Sequence, residues 1–177
     1  MGIDDELTMS VAAYHEAGHA VVAIIKSMPI WSISILPCDN YKGSCEIDAY
    51  RYARNNMDKL RDVNIDVIEF LKAGKIVENK YISDVLLDED VKILFKNSAN
   101  DDEQKIEARC NNNDSNKYEP IDLHEVCNNV SMLIDKPEVW AVIQHVADIL
   151  MVEKKLEGDI LDRYLRKFYS NAQSVNF

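Results

Sequence analysis

A chain of 177 residues that is 47% hydrophobic can bury one sizeable core, so a single domain spanning 1–177 is expected. Its 31 acidic residues outnumber 20 basic ones, and the net charge of −11 repels a phosphate backbone, which excludes nucleic acid from the expected partners. The longest apolar stretches, Ala20 to Ile25 and Met28 to Leu36, fall well short of the roughly 18 residues of a membrane span. Met1 to Leu7 is acidic and unlike a secretory signal, so a cytoplasmic location is expected.

In chain order, apolar residues at helical spacing predict a first helix over Met9 to Lys26, with Thr8 as its N-cap and Pro29 beyond its end. Trp31 to Leu36 reads as a short strand. Turn residues between Pro37 and Ser44 lead to a second strand near Cys45 to Tyr50, so a small hairpin or sheet edge is expected. From Met57 onward the pattern is helical, with Leu60, Val63, Val67, Ile68, Leu71, Ile76 and Val77 mostly three or four apart. Further helices are predicted at about Asp84 to Lys96, Asn100 to Arg109, Leu123 to Ile134, Glu138 to Glu153 and Asp159 to Tyr169. The run NNNDSNKYEP over Asn111 to Pro120 has little to bury and reads as an exposed loop. Cys38, Cys45, Cys110 and Cys127 are scattered along the chain, and they read as reduced thiols rather than a disulfide framework.

The first helix contains His15-Glu16-Ala17-Gly18-His19, an H-E-x-x-H motif. Residues at i and i+4 share a helix face, so the two imidazoles can converge on one metal ion, with zinc the expected one. Glu16 lies beside them and can act as a general base toward a water activated by the metal, later passing the proton to a leaving amine. Four histidines and 13 glutamates in 177 residues would produce this motif by chance in roughly one such chain in 150, so an accident explains it poorly. A catalytic zinc needs a third protein ligand. Val22 and Ile25 occupy the positions where the extended motif H-E-x-x-H-x-x-G-x-x-H requires glycine and histidine, so that ligand must come from elsewhere. By residue type His124, His145, Glu78, Asp101 and Asp102 are candidates.

The stretch SVAAYHEAGHAVVAIIKSMPIWSISILP resembles the start of the peptidase domain of FtsH-type ATP-dependent zinc metalloproteases. Ala73-Gly74-Lys75-Ile76-Val77-Glu78 is similar to that family's glycine-basic-apolar-apolar-glutamate helix, and Ser98 to Glu103 to its small-small-Asn-Asp-x-Glu segment. Ala147 to Leu161 is similar to its closing helix and turn, so the resemblance runs over roughly Ser10 to Leu165. It implies a mainly α fold with a small β-hairpin or sheet. It also implies that Asp101 is the third zinc ligand beside His15 and His19. Adjacent helical residues diverge by about 100°, so Asp102 is then expected to point away, and Glu78 is the alternative ligand or a support that orients a ligating histidine. The family's rings of six imply a homo-oligomer.

No G-x-x-x-x-G-K-[ST] phosphate loop occurs in the sequence, so no ATP binding is expected of this chain. The leading expectation is therefore a zinc-dependent metalloendopeptidase that cuts unfolded or flexible polypeptide laid beside the strand at Trp31 to Leu36. Two alternatives are a catalytically inactive interaction or regulatory module of the same fold and a purely structural zinc site.

Overall fold

The computed structural model describes residues 5–36, 43–85, 100–111 and 120–173. It is mainly helical with one small antiparallel sheet. The centre is formed by α1 (Asp5–Ile25), which packs against the long α3 (Leu60–Val85) on one side and α6 (Pro137–Glu153) on another. Helix α1 can serve both neighbours because its interior is small: Ala13, Ala17, Ala20 and Ala23 are fully buried. Gly18 marks a close approach to α3. A Cβ there would stand 2.9 Å from the Ala73 carbonyl oxygen and 2.9 Å from Val77 Cγ2, tighter than packed carbon atoms tolerate.

Helix α1 starts upstream of the expected cap, so Thr8 lies inside its first turns. At the other end Met28 N donates to Ala23 O and Ser27 N to Ile24 O, a Schellman closure with Ser27 in the left-handed region at φ 58°. The chain then enters β1 (Ile30–Ser34), which pairs antiparallel with β2 (Ser44–Ile47) and with β3 (Lys155–Glu157). Ser32, Ile33 and Ser34 have partners on both sides, so β1 is the central strand of the order β2-β1-β3. The expectation of a free edge along Trp31 to Leu36 is therefore corrected: β3, too short to show a strand pattern, closes that side. Among the described residues β2 has a strand partner only through β1.

Helix α2 (Ala49–Asn55) replaces the end of the expected second strand, capped by Asp48 through a 2.8 Å bond from Arg51 N, and Tyr52 Oη donates to Asp66 at 2.7 Å to tie it to α3. Helix α4 (Asn100–Asn111) and α5 (Leu123–Ile134) both lie against α3. Asp122 caps α5, accepting from His124 N and Glu125 N. Pro137 opens α6 at N1, where its missing N–H costs nothing. Helix α7 (Gly158–Gln173) follows β3 and packs on the sheet. Most of the helix expected over Asp84 to Lys96, most of the Asn111 to Pro120 loop, and Cys38 lie outside the described residues, while Cys45, Cys110 and Cys127 are free thiols.

Candidate metal centre

His15 and His19 stand one turn apart on α1, as the motif spacing requires, and both face α3 and α4. Their Nε2 atoms are 3.0 Å apart. Asp102, in the first turn of α4, completes a triangle: its Oδ2 lies 3.1 Å from His19 Nε2 and 3.3 Å from His15 Nε2. These three side chains could hold a metal ion.

The outer nitrogens of both rings are already engaged. His15 Nδ1 donates to Glu78 Oε2 at 2.9 Å, and His19 Nδ1 donates to the Phe70 carbonyl oxygen at 2.7 Å. A carbonyl can only accept, so Nδ1 of His19 carries a proton, and Nε2 is the nitrogen that gives up its own proton when a metal is bound. An imidazole held by a carboxylate or carbonyl at one nitrogen, with the other turned toward the cluster, is the usual preparation of a metal-ligating histidine. Glu78 is almost wholly buried, and Lys75 Nζ donates to its second oxygen at 2.5 Å.

The electrostatics of the cluster call for positive charge at its middle. Burial disfavours an imidazolium at His15, yet the carboxylates of Asp102 and Glu78 outweigh it and push its pKa up to about 10. Burial alone would raise the Asp102 carboxyl, but hydrogen bonds to His15 and His19 hold it far below the ordinary carboxylate range. Protons supply that charge when no metal does, and a metal ion must displace them.

Helix α3 comes this close only because residue 74 has no side chain. A Cβ on Gly74 would lie 2.7 Å from His15 Nε2 and collide with His19 as well. The sequence shows Gly74 and Glu78 in one helix four residues apart, and the fold puts the first under the rings and the second behind one of them.

Asp101 is not part of the cluster. Its carboxylate pairs with Lys105, one turn on, and its side chain is about one-third exposed. The expectation that Asp101 faces the histidines and Asp102 points away is reversed. Adjacent helical residues diverge by about 100°, so only one can face α1. Ile106, 2% exposed, fixes which: it is the one large apolar residue of α4, it must face the core, and Asp102 lies one turn before it on the same face. That signal was present in the sequence, while the pattern match to small-small-Asn-Asp pointed one residue earlier. His124 is on the surface, with Nδ1 accepting from Asn128, and neither it nor His145 joins the cluster.

Glu16 is buried beside the two histidines, near β2: a Cβ at Gly43 would stand 2.8 Å from its Oε1. Burial pushes the Glu16 carboxyl up, with His15 and His19 pulling it down. Cys45, on β2, is close enough to feel Glu16 and Asp102; burial first and those charges second push its thiol well up, so it is a neutral wall of the site. No protein-family model matches this chain, and no curated protein matches it.

Proposed function

We propose that the chain is a zinc metallopeptidase that resembles FtsH-type peptidase domains, with His15, His19 and Asp102 as ligands and Glu16 as general base. The carrying observation is the convergence of two imidazole Nε2 atoms and one carboxylate oxygen, with Glu16 buried alongside. Tetrahedral ligands about 2.0–2.1 Å from zinc are about 3.3–3.4 Å from one another. The separations here are 3.0, 3.1 and 3.3 Å, so the donor set fits that ion with little movement. Three protein ligands leave a fourth position for water, which distinguishes a catalytic site from a structural one.

When bound, zinc supplies Lewis acidity, which brings the pKa of water toward about 7 and polarises a carbonyl. Glu78 and the Phe70 carbonyl hold the two imidazoles in one tautomer and orientation. The Glu16 carboxylate takes a proton from the attacking water as its oxygen adds to the scissile carbonyl carbon. It then gives that proton to the departing nitrogen as the C–N bond breaks. A carboxyl raised by burial suits both halves of this transfer, because its pKa moves toward the working pH. An extended substrate would pair with β2, the outer strand that passes Glu16, rather than with β1.

Purified protein should carry close to one zinc per chain and hydrolyse a quenched fluorescent peptide. A chelator should abolish hydrolysis and added zinc restore it. Glu16→Gln should keep the zinc and lose at least about a hundredfold in rate, the scale of a general base. Undiminished hydrolysis by Glu16→Gln would overturn the mechanism, and zinc-loaded protein with no peptidase activity would favour an interaction module.

A further inference from the structure

A cleft of about 790 Å³ opens between β2, α2, α3 and α4. It adjoins the metal centre, because three of its walls also border that centre: Phe70, whose carbonyl holds His19; Lys105, whose Nζ is 3.7 Å from Asp102 Oδ1; and Cys45, which senses Glu16. Ile47, Val67 and Leu71 make much of the rest apolar. Its volume lies within the roughly 300–1,000 Å³ of pockets that enclose small ligands.

Two guanidinium groups stand in these apolar walls, Arg61 and Arg109. The chain carries a net charge of −11, yet among the described residues neither arginine pairs with a carboxylate. Among the described residues the partner of Arg109 Nη1 is the neutral Asn64 Oδ1, at 3.3 Å, and burial lowers the arginine's pKa. Arg61 Nε is buried with no hydrogen-bond partner among the described residues. A buried N–H without an acceptor costs about 1–3 kcal/mol, more when it is charged, so a site that retains one is incomplete until an acceptor arrives. A carboxylate is the acceptor whose planar geometry matches a guanidinium.

We propose that this cleft receives the C-terminal end of the substrate, with apolar side chains against Ile47, Val67 and Leu71 and the free α-carboxylate on Arg61 and Arg109. The breadth of the apolar wall favours a chain terminus over a single acidic side chain, whose short aliphatic stem would leave most of it uncovered. The proposal rests on the peptidase reading above and narrows it: bonds a few residues from an apolar C-terminus are the ones presented to Glu16.

The test is binding of fluorescent hexapeptides ending in leucine and valine to the full chain carrying Glu16→Gln, followed by anisotropy with zinc present. The free-acid peptide should bind about tenfold or more tightly than its C-terminal amide, the scale of a hydrogen-bonded charge pair. An amidated peptide with glutamate at the penultimate position should bind no better than the plain amide. Arg61→Gln and Arg109→Gln should each reduce the preference for the acid, with thermal melts to establish that the variants fold. Equal affinity for acid and amide in the unsubstituted cleft would overturn the proposal, and so would a glutamate peptide binding as well as the free acid. The two readings fail separately. Wild-type protein that cleaves acid and amide alike would sink the carboxylate pocket but not the peptidase, whereas acid-selective binding without hydrolysis by the wild type would sink the peptidase alone.

Discussion

Asp101 and Asp102 are chemically identical neighbours, yet one lies 3.1 Å from His19 Nε2 and the other is paired with Lys105. The difference is a rotation of about 100° around α4. Glu78 is intermediate in role, holding His15 from the side away from the cluster. These positions predict an order of effects. Asp102→Asn should weaken zinc binding most. Glu78→Gln should follow, with the roughly 10–100-fold loss typical of a residue that orients a ligand, and Asp101→Asn should leave affinity within a few-fold of the original. Competition titration against a zinc-sensitive dye measures all three, and a larger loss for Asp101→Asn than for Asp102→Asn would return the ligand role to Asp101. The residue types of the site were legible in the sequence because H-E-x-x-H is local to one helix. The third member of the cluster was misplaced, because the pattern match pointed to Asp101 while Ile106, the apolar residue that sets the rotation of α4, pointed to Asp102.

At the scale of elements, α1 carries both the metal motif and the core, so its ends matter to the site it holds. Its C-terminal closure uses Ser27 at φ 58°, a conformation that is uncommon for a residue with a Cβ. The side chain of Ser27 is exposed. Ser27→Gly should therefore relieve backbone strain at little packing cost and stabilise the fold by about 0.5–1 kcal/mol, after the larger chain entropy of glycine is counted. For a domain of this size that corresponds to a rise of roughly 1–4 °C in Tm, read by calorimetry or circular dichroism. An unchanged or lowered Tm would show that the serine has a stabilising contact of its own. The opposite case is Gly74, where the constraint is space: its missing side chain lets α3 lie against two imidazoles.

For the molecule as a whole, the sequence holds no phosphate loop, and a folded substrate rarely presents an extended backbone to β2. Opening a typical domain costs about 5–15 kcal/mol, so on the proposed peptidase reading spontaneous opening would limit what the purified chain can cut. Casein-like unfolded chains and short peptides should be cleaved, and compact domains should be spared whether or not ATP is added. Within a series of variants of one folded substrate, each 1.4 kcal/mol of destabilisation should raise cleavage about tenfold while opening remains fast and reversible. Cleavage indifferent to substrate stability would mean that the chain attacks exposed loops or opens its substrate itself.

The sequence by itself determined what depends on neighbours along the chain. It carried the mainly helical class, the placement of His15 and His19 on one face of α1, and the limits of α5, whose apolar period and Asp122 cap are both local signals. The tertiary structure decided what depends on how distant elements lie against one another. It put β3 on the far side of β1, which removed the expected docking edge. It brought Asp102 to His19 across 83 residues, and it aligned Gly74, Glu78 and the Phe70 carbonyl around two rings they do not neighbour in sequence. Periodicity states that a helix has a buried face, and through Ile106 it puts Asp102 on that face of α4, but only the packing of that face against its neighbours brings the carboxylate to His15 and His19.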